Sequence, residues 1–499
     1  MADTTASKGP PTAREPRARW ILSLQARMWR FLMSIGMLLH KIAPPRPKKP
    51  DFARSIAATI SGKAGSIPLQ FYVPPDYESQ KKIWAGRARA GINATDEEEG
   101  GDPKSNGKSR RVSTGLLNNV SQVMRRRSQT GRKWGHYPVV INFHGGGFTL
   151  GTATDDARWC ETVVNECQAV VISVDYRKAP EYPFPTAVED GVDAVLWVHK
   201  HAAELGVDKE KIALSGFSSG GNMCITVALR LWDEQNGFSR DTESRPSSRQ
   251  TAERALHGVA TTIDSDSSAS TKVQPDNANI QILRPEDDPP SLSSSFADRH
   301  SRKASPNRRQ AKEPSTKIID RDIPNVKIRC IVPWYPSLDY TRTREQRRAT
   351  NVRKDHELPA VFTNLFDDSY LHPPKTISLD SPYLSPGVAP TSLLKNALPQ
   401  DIIMHTCEFD MLLDEGKDFR ARITAPDIGK NVVYIMVEGV SHGWDKAPNP
   451  LKPTPGVKEH YLRACKEMRR VFGSQPGVRE FATPKGISAA PRGSASVVN

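Results

Sequence analysis

Four short stretches of this sequence hold the residue types that acyl transfer needs. Gly216-Phe217-Ser218-Ser219-Gly220 lies between the apolar run IALS and a helix-forming segment that begins near Asn222. A serine at a sharp strand-to-helix turn is presented as a nucleophile, and glycines two positions to either side let strand and helix approach without Cβ clashes. His144-Gly145-Gly146-Gly147-Phe148 follows VVINF directly. Successive glycines after a strand leave backbone N–H groups unobstructed, so they can hold a developing oxyanion, with the N–H of Ser219 as a further donor. A phosphate-binding role does not fit this loop, because no Lys-Ser/Thr pair follows it and no GxGxxG opens a helix.

An acid and a base must come later in the chain, in the order serine, acid, histidine. Glu408-Phe409-Asp410 follows the strand-like run DIIMHT, and Ser441-His442-Gly443 follows NVVYIMVEG. Both turns fall at the C-terminal end of a strand, where the active groups of an open α/β sheet collect. Asp414 and Glu415 are also eligible acids, but Asp410 is nearest the strand end and the other two fall where the next helix should begin. Each residue alone has a bland reading, a helix cap for the aspartate and a surface turn for the histidine. Four loops with the right residue types at successive strand ends point to chemistry: Ser218 as nucleophile, His442 as general base and Asp410 as the acid that orients it. No metal or organic cofactor is called for.

With these residues in place, the sequence resembles the hormone-sensitive-lipase group of α/β-hydrolases. HGGGF, VDYRKAPEYPFPTAVED, GFSSGGN, DMLLDEG and SHGW look like that group's blocks and stand in its order. The likeness implies a triad of Ser218, Asp410 and His442, with Gly145, Gly146 and Ser219 as oxyanion donors. It implies a carboxylic-ester hydrolase, an esterase or lipase that works through a covalent acyl-enzyme on a small-molecule ester or lipid. A small helical cap is also implied, built from N-terminal helices and from residues 340 to 390. The chain departs from the group's pattern at Phe217, where an acidic residue is usual, and at Ser219, where alanine is. The alternative is a non-catalytic ligand receptor or a regulatory protein on the same scaffold; the related gibberellin receptors lose the histidine that His442 supplies here.

The elements that must position these loops are legible as an α/β alternation. VVINF, VVISVDY, IALSG, IRCIVPWY, DIIMHT and NVVYIMVEG are separated by helix-length segments, which calls for a mostly parallel central sheet flanked by helices. Residues 53 to 74 alternate around a glycine-containing turn and read as an antiparallel hairpin. The α/β-hydrolase domain is expected over 50–474. Disordered insertions are expected at 78–134 and 236–319, a disordered leader at 1–18 and a disordered tail at 475–499, all from polar, Ser-, Arg- and Pro-rich composition.

The formal charge of +14 and the mean hydropathy of −0.54 belong mainly to those polar segments, so nucleic-acid binding is not inferred. Six scattered cysteines without metal-type spacing read as reduced core residues of an intracellular protein, cytoplasmic or peripherally membrane-associated. Residues 19–42 form an amphipathic helix, with Ile21, Leu24, Met28, Phe31, Ile35 and Leu38 at three- and four-residue steps. Its uninterrupted run FLMSIGMLL is about half of the roughly 20 residues that a bilayer span needs. The helix therefore suits either the cap or a membrane surface. Trp20, Trp29, Phe31 and Met33, with Arg17, Arg19, Arg27, Arg30 and Lys41, favour peripheral, salt-sensitive contact with anionic lipid. Ser113 and Ser128 follow arginine clusters and read as kinase targets.

Overall fold

Runs such as VVINF and VVISV are apolar at nearly every position, so both faces of the strands they form must be covered. The protein meets this with one eight-stranded sheet in the order β1-β2-β4-β3-β5-β6-β7-β8. The structure is a computed structural model, and it describes residues 17–43, 46–89, 136–238, 323–446, 454 and 456–473. In chain order the elements are α1 (Arg19–Ile42), β1 (Phe52–Ala57), β2 (Ser66–Tyr72), α2 (Tyr77–Arg89), β3 (Tyr137–Phe143), α3 (Ala157–Cys167), β4 (Val170–Val174), α4 (Thr186–Lys200) and α5 (Ala202–Leu205). They continue with β5 (Val207–Phe217), α6 (Ser219–Asn236), β6 (Ile328–Trp334), α7 (Arg344–Thr350), α8 (Ala360–Tyr370), α9 (Thr391–Ala397), β7 (Asp401–Phe409), α10 (Leu413–Thr424), β8 (Asn431–Ser441) and α11 (Val457–Phe472).

The expected hairpin is present as β1 and β2, antiparallel to each other, and β2 is antiparallel to β4. Every other neighbouring pair is parallel. Side chains alternate between two cores, as the period of a strand requires. From β3, Val139, Ile141 and Phe143 enter the core covered by α4 and α6, while Val140 enters the core covered by α3 and α11. All six cysteines are buried and free.

The expected insertion at 78–134 does not begin where the sequence pattern is lost. Helix α2 occupies its opening, because two aromatics two turns apart fasten an otherwise charged segment to the domain. The Tyr77 hydroxyl donates to the Leu205 carbonyl at 2.9 Å, and the Trp84 ring lies 5.6 Å from that of Tyr137. The remainder of that insertion, residues 239–319 of the second, the residues before 17 and those after 473 lie outside the described residues, as do Ser113 and Ser128.

Two carboxylates at the start of α4 tie the layers together. Asp193 accepts from the amides of Thr59 and Ile60, at 2.8 and 3.1 Å, and from the Thr59 hydroxyl, which pins the hairpin turn to the helix. Asp190, fully buried, accepts from the Arg177 amide at 2.8 Å and from its guanidinium at 2.6 Å, while Arg177 Nη1 donates to the Lys63 carbonyl. Breaking a buried pair leaves the other charge without compensation. Asp190→Asn is therefore expected to lower the free energy of unfolding by about 3–5 kcal/mol in urea titration. A change no larger than that of an exposed control such as Asp427→Asn would show that the pair does not brace the fold.

Candidate active site

Strand β5 runs in the middle of the sheet and ends at Phe217, and α6 starts at Ser219, so the whole reversal falls on Ser218. Its backbone adopts φ 55° and ψ −113°, a conformation that costs a residue with a side chain about 1–3 kcal/mol. The neighbours that hold it there are short and small. The Ser218 amide donates to the Trp334 carbonyl at 2.9 Å, and its carbonyl accepts from the Asn222 amide at 3.0 Å. A Cβ at Gly216 would run into the Gly220 carbonyl, and one at Gly220 into the Phe143 carbonyl. Both glycines are therefore required by the close approach of strand and helix, as the pentapeptide suggested.

Asp410 follows β7 directly and His442 follows β8, and these parallel strands are hydrogen-bonded neighbours. The two turns therefore open at the same edge of the sheet as Ser218. His442 Nε2 lies 2.8 Å from Ser218 Oγ, and His442 Nδ1 lies 2.7 Å from Asp410 Oδ2. Asp410 Oδ1 accepts from the Leu412 amide at 3.0 Å, and the carboxylate is buried. The other two acids face elsewhere. Asp414 is half-buried and pairs with Lys417. Glu415 is buried against Arg347, 3.1 Å away, and accepts from the Leu338 amide at 2.7 Å. Burial pushes its carboxyl up to about 7, with Arg347 and the amide opposing.

The glycine loop packs directly on the turn that carries Ser218. A Cβ at Gly145 would come 3.5 Å from the Ser218 Cβ. Gly146 has φ +117°, and its carbonyl accepts from the amides of Thr149 and Leu150, which closes the loop into a turn. His144 braces it from behind: its ring stacks on Tyr176 at 4.2 Å, and its Nδ1 lies 2.8 Å from the Gly145 carbonyl. Ser219 is the first residue of α6, where the leading amides have no acceptor within the helix. Gly145, Gly146, Ser218 and His442 all line one pocket of about 430 Å³. Its walls are apolar, with Trp29, Met33 and Met37 from α1 facing Phe362 and Phe366 from α8. The rings of Trp29 and Phe362 meet edge to face at 4.6 Å.

Beside Ser218, and partly lining the same pocket, lies a charged cluster that the sequence reading did not find. Lys446 Nζ is 2.8 Å from Asp156 and 3.1 Å from Asp445, and it sits 3.6 Å from the centre of the Phe217 ring. Asp445 also accepts from the hydroxyls of Tyr335, at 2.6 Å, and Tyr461. The Tyr335 ring in turn meets His442 edge to face at 4.8 Å. Burial alone would raise the Asp445 carboxyl, but Lys446 and the two hydroxyls outweigh it and hold it below the usual range. Burial would likewise lower Lys446, yet its two carboxylate partners keep it above the ordinary lysine range. Phe217 therefore does not leave the position before Ser218 without electrostatic support: its face carries the lysine cation. Only the adjacency of Lys446 to the His442 turn hinted at this, since Asp156 lies far away in the chain.

The fold has counterparts among known proteins. A family model described as alpha/beta hydrolase fold matches residues 140–284 and 307–446, more than half of the chain. An arylesterase of Saccharolobus solfataricus is 45% identical over 97 residues, 19% of this chain and 32% of that protein. Hormone-sensitive lipase of Homo sapiens is 46% identical over 92 residues, 18% of this chain and 9% of that one. The matched stretch thus spans about a third or less of these relatives. Among solved structures, a hyperthermophilic esterase from Pyrobaculum calidifontis superposes with a TM-score of 0.52 at 21% identity, covering 92% of this chain and 99% of that one, a likeness of fold. Sheet order, glycine loop and family match together establish that this chain belongs to the α/β-hydrolase family, in its hormone-sensitive-lipase-like group.

Proposed function

We propose that the protein is a carboxylic-ester hydrolase with Ser218 as nucleophile. The observation that carries this reading is the unbroken hydrogen-bonded line from Ser218 Oγ through His442 to the buried Asp410. In it, His442 takes the Ser218 proton as Oγ attacks the ester carbonyl, and then returns it to the departing alcohol. Asp410 accepts from Nδ1–H, which fixes the tautomer that leaves Nε2 free and stabilises the imidazolium once it forms. The amides of Gly145, Gly146 and Ser219 hold the oxyanion of the tetrahedral intermediate. Water activated by His442 then hydrolyses the acyl-enzyme and regenerates Ser218.

The substrate class follows from the pocket. Trp29, Met33, Met37, Phe362 and Phe366 offer an apolar chain nothing to hydrogen-bond and much surface to cover, so the acyl group of the substrate is a hydrocarbon one. Helices α1 and α8, which supply these walls, act as the cap.

Purified protein assayed on p-nitrophenyl esters from acetate to palmitate should hydrolyse them, and Ser218→Ala should not. Absence of turnover at every chain length would favour a ligand receptor on this scaffold. Asp410→Asn should lower turnover roughly 10⁴-fold with the fold intact, because the histidine is then held in the wrong tautomer. Asp414→Asn should leave turnover within a fewfold of the parent, and the reverse ranking would remove Asp410 from its role. Met33→Trp should fill the pocket between α1 and α8 and depress hydrolysis of octanoate and longer esters by about tenfold or more relative to acetate. An unchanged chain-length profile would place the acyl group elsewhere.

A further inference from the structure

Helix α1 is apolar on two faces, and only one of them is used by the domain. Leu22, Ala26 and Met37 are buried, and Trp29 and Met33 line the pocket. The stripe that the sequence pattern singled out lies largely on the other side. Trp20, Leu24, Met28, Phe31, Ile35 and Leu38 follow one another at three- and four-residue steps and are all exposed, Trp20 by 71% and Phe31 by 66%. Seen along the helix this is a continuous outward band of large side chains, which a chain standing alone in water rarely keeps. Leu32 joins the band to the pocket, because it lines the cavity and is itself 44% exposed. Across the pocket, Val361 of α8 is half exposed.

The basic residues of the helix are mostly engaged by the domain, contrary to the expectation that they face lipid. Arg17 pairs with Asp368 at 2.6 Å, and Arg19 donates to the Pro180 and Glu181 carbonyls. Arg30 reaches Glu181 and the carbonyls of Thr149 and Ala179, and Lys41 reaches Thr154. These contacts clamp α1 in one orientation and so hold its outer band outward. Arg27 remains 74% exposed, and Arg46 and Lys49 just beyond the helix are exposed too. Residues 16–50 hold eight Lys and Arg residues and no Asp or Glu.

We propose that the outer face of α1 docks on an anionic lipid surface, lying in its plane and setting the pocket mouth against the lipid. An apolar band with the exposed cations Arg27, Arg46 and Lys49 beside it matches an anionic interface. A second copy of the chain would bring that cationic segment against itself. No helix among the described residues is long and apolar enough to cross a membrane, so the contact is peripheral. Entry of lipid esters toward Ser218 rests on the hydrolase reading above; the docking itself does not.

Flotation of the full chain with vesicles of phosphatidylserine and phosphatidylcholine tests this. Removing α1 would also remove a pocket wall, so the test uses Phe31→Glu with Leu38→Glu, neither of which lines the cavity. The double variant should bind the vesicles about a hundredfold more weakly while it keeps the parent's unfolding midpoint and its rate on soluble p-nitrophenyl acetate. Ser218→Ala should float as the parent does, which separates docking from catalysis. Equal flotation of the double variant and the parent would overturn the proposal. Failure of the parent to float would do so too, as would a parent dimer that the double variant dissolves without either binding vesicles. Equal binding to phosphatidylcholine alone would overturn the anionic preference.

Discussion

A serine held in a left-handed backbone conformation between a central strand and the helix that follows it is the constraint on which the rest of the site depends. At φ 55° Ser218 is strained, and the strain persists only because the surroundings leave it no alternative. The Trp334 carbonyl takes its amide, Gly216 and Gly220 admit neighbouring carbonyls where a Cβ would clash, and β3 and β6 pin β5 from both sides. Loosening any of these contacts would let the turn relax and move Oγ away from His442. The parallel sheet thus has a chemical consequence, since it delivers the ends of β5, β7 and β8 to one edge and brings Ser218, Asp410 and His442 into line.

Two sets of buried charges surround that line. Asp410 faces His442 alone among the charged side chains it contacts, whereas Lys446 is shared between Asp156 and Asp445 beside Phe217. A buried ion cluster is costly unless each member is satisfied. Here the tyrosine hydroxyls of Tyr335 and Tyr461 complete the set, and Tyr335 carries the packing through to the imidazole. Before Ser218, where the resemblance leads one to expect an acidic side chain, this chain has Phe217, whose face supports the Lys446 cation.

The helix α1 couples the pocket to the outside of the molecule. It is clamped to the core by arginines, lines the pocket with one face and shows a second apolar face outward. A helix of 24 residues extends about 36 Å, and its lining residues run from Trp29 to Met37. The apolar stripe is legible in the sequence, but a single stripe could not disclose that the helix is apolar on two sides.

Features that obey local rules are legible in the sequence. Alternation of apolar runs and helix-length segments yields the parallel sheet, and the GxSxG and triple-glycine stretches mark turns that only small residues can make. The order of serine, acid and histidine follows as well, because each lies just past a recognisable strand. Helix α2 escaped this reading because two aromatics anchor a segment whose remaining composition is that of a solvated loop. The strand end already favoured Asp410 over Asp414 and Glu415 as the neighbour of His442; the tertiary structure added the partners of the other two, Lys417 for Asp414 and Arg347 for Glu415. It also decided that Lys446 meets Asp156 and which face of α1 points outward. These outcomes depend on the packing of helices against the sheet between residues hundreds of positions apart, and no periodicity within a segment encodes the neighbour it will find across the core.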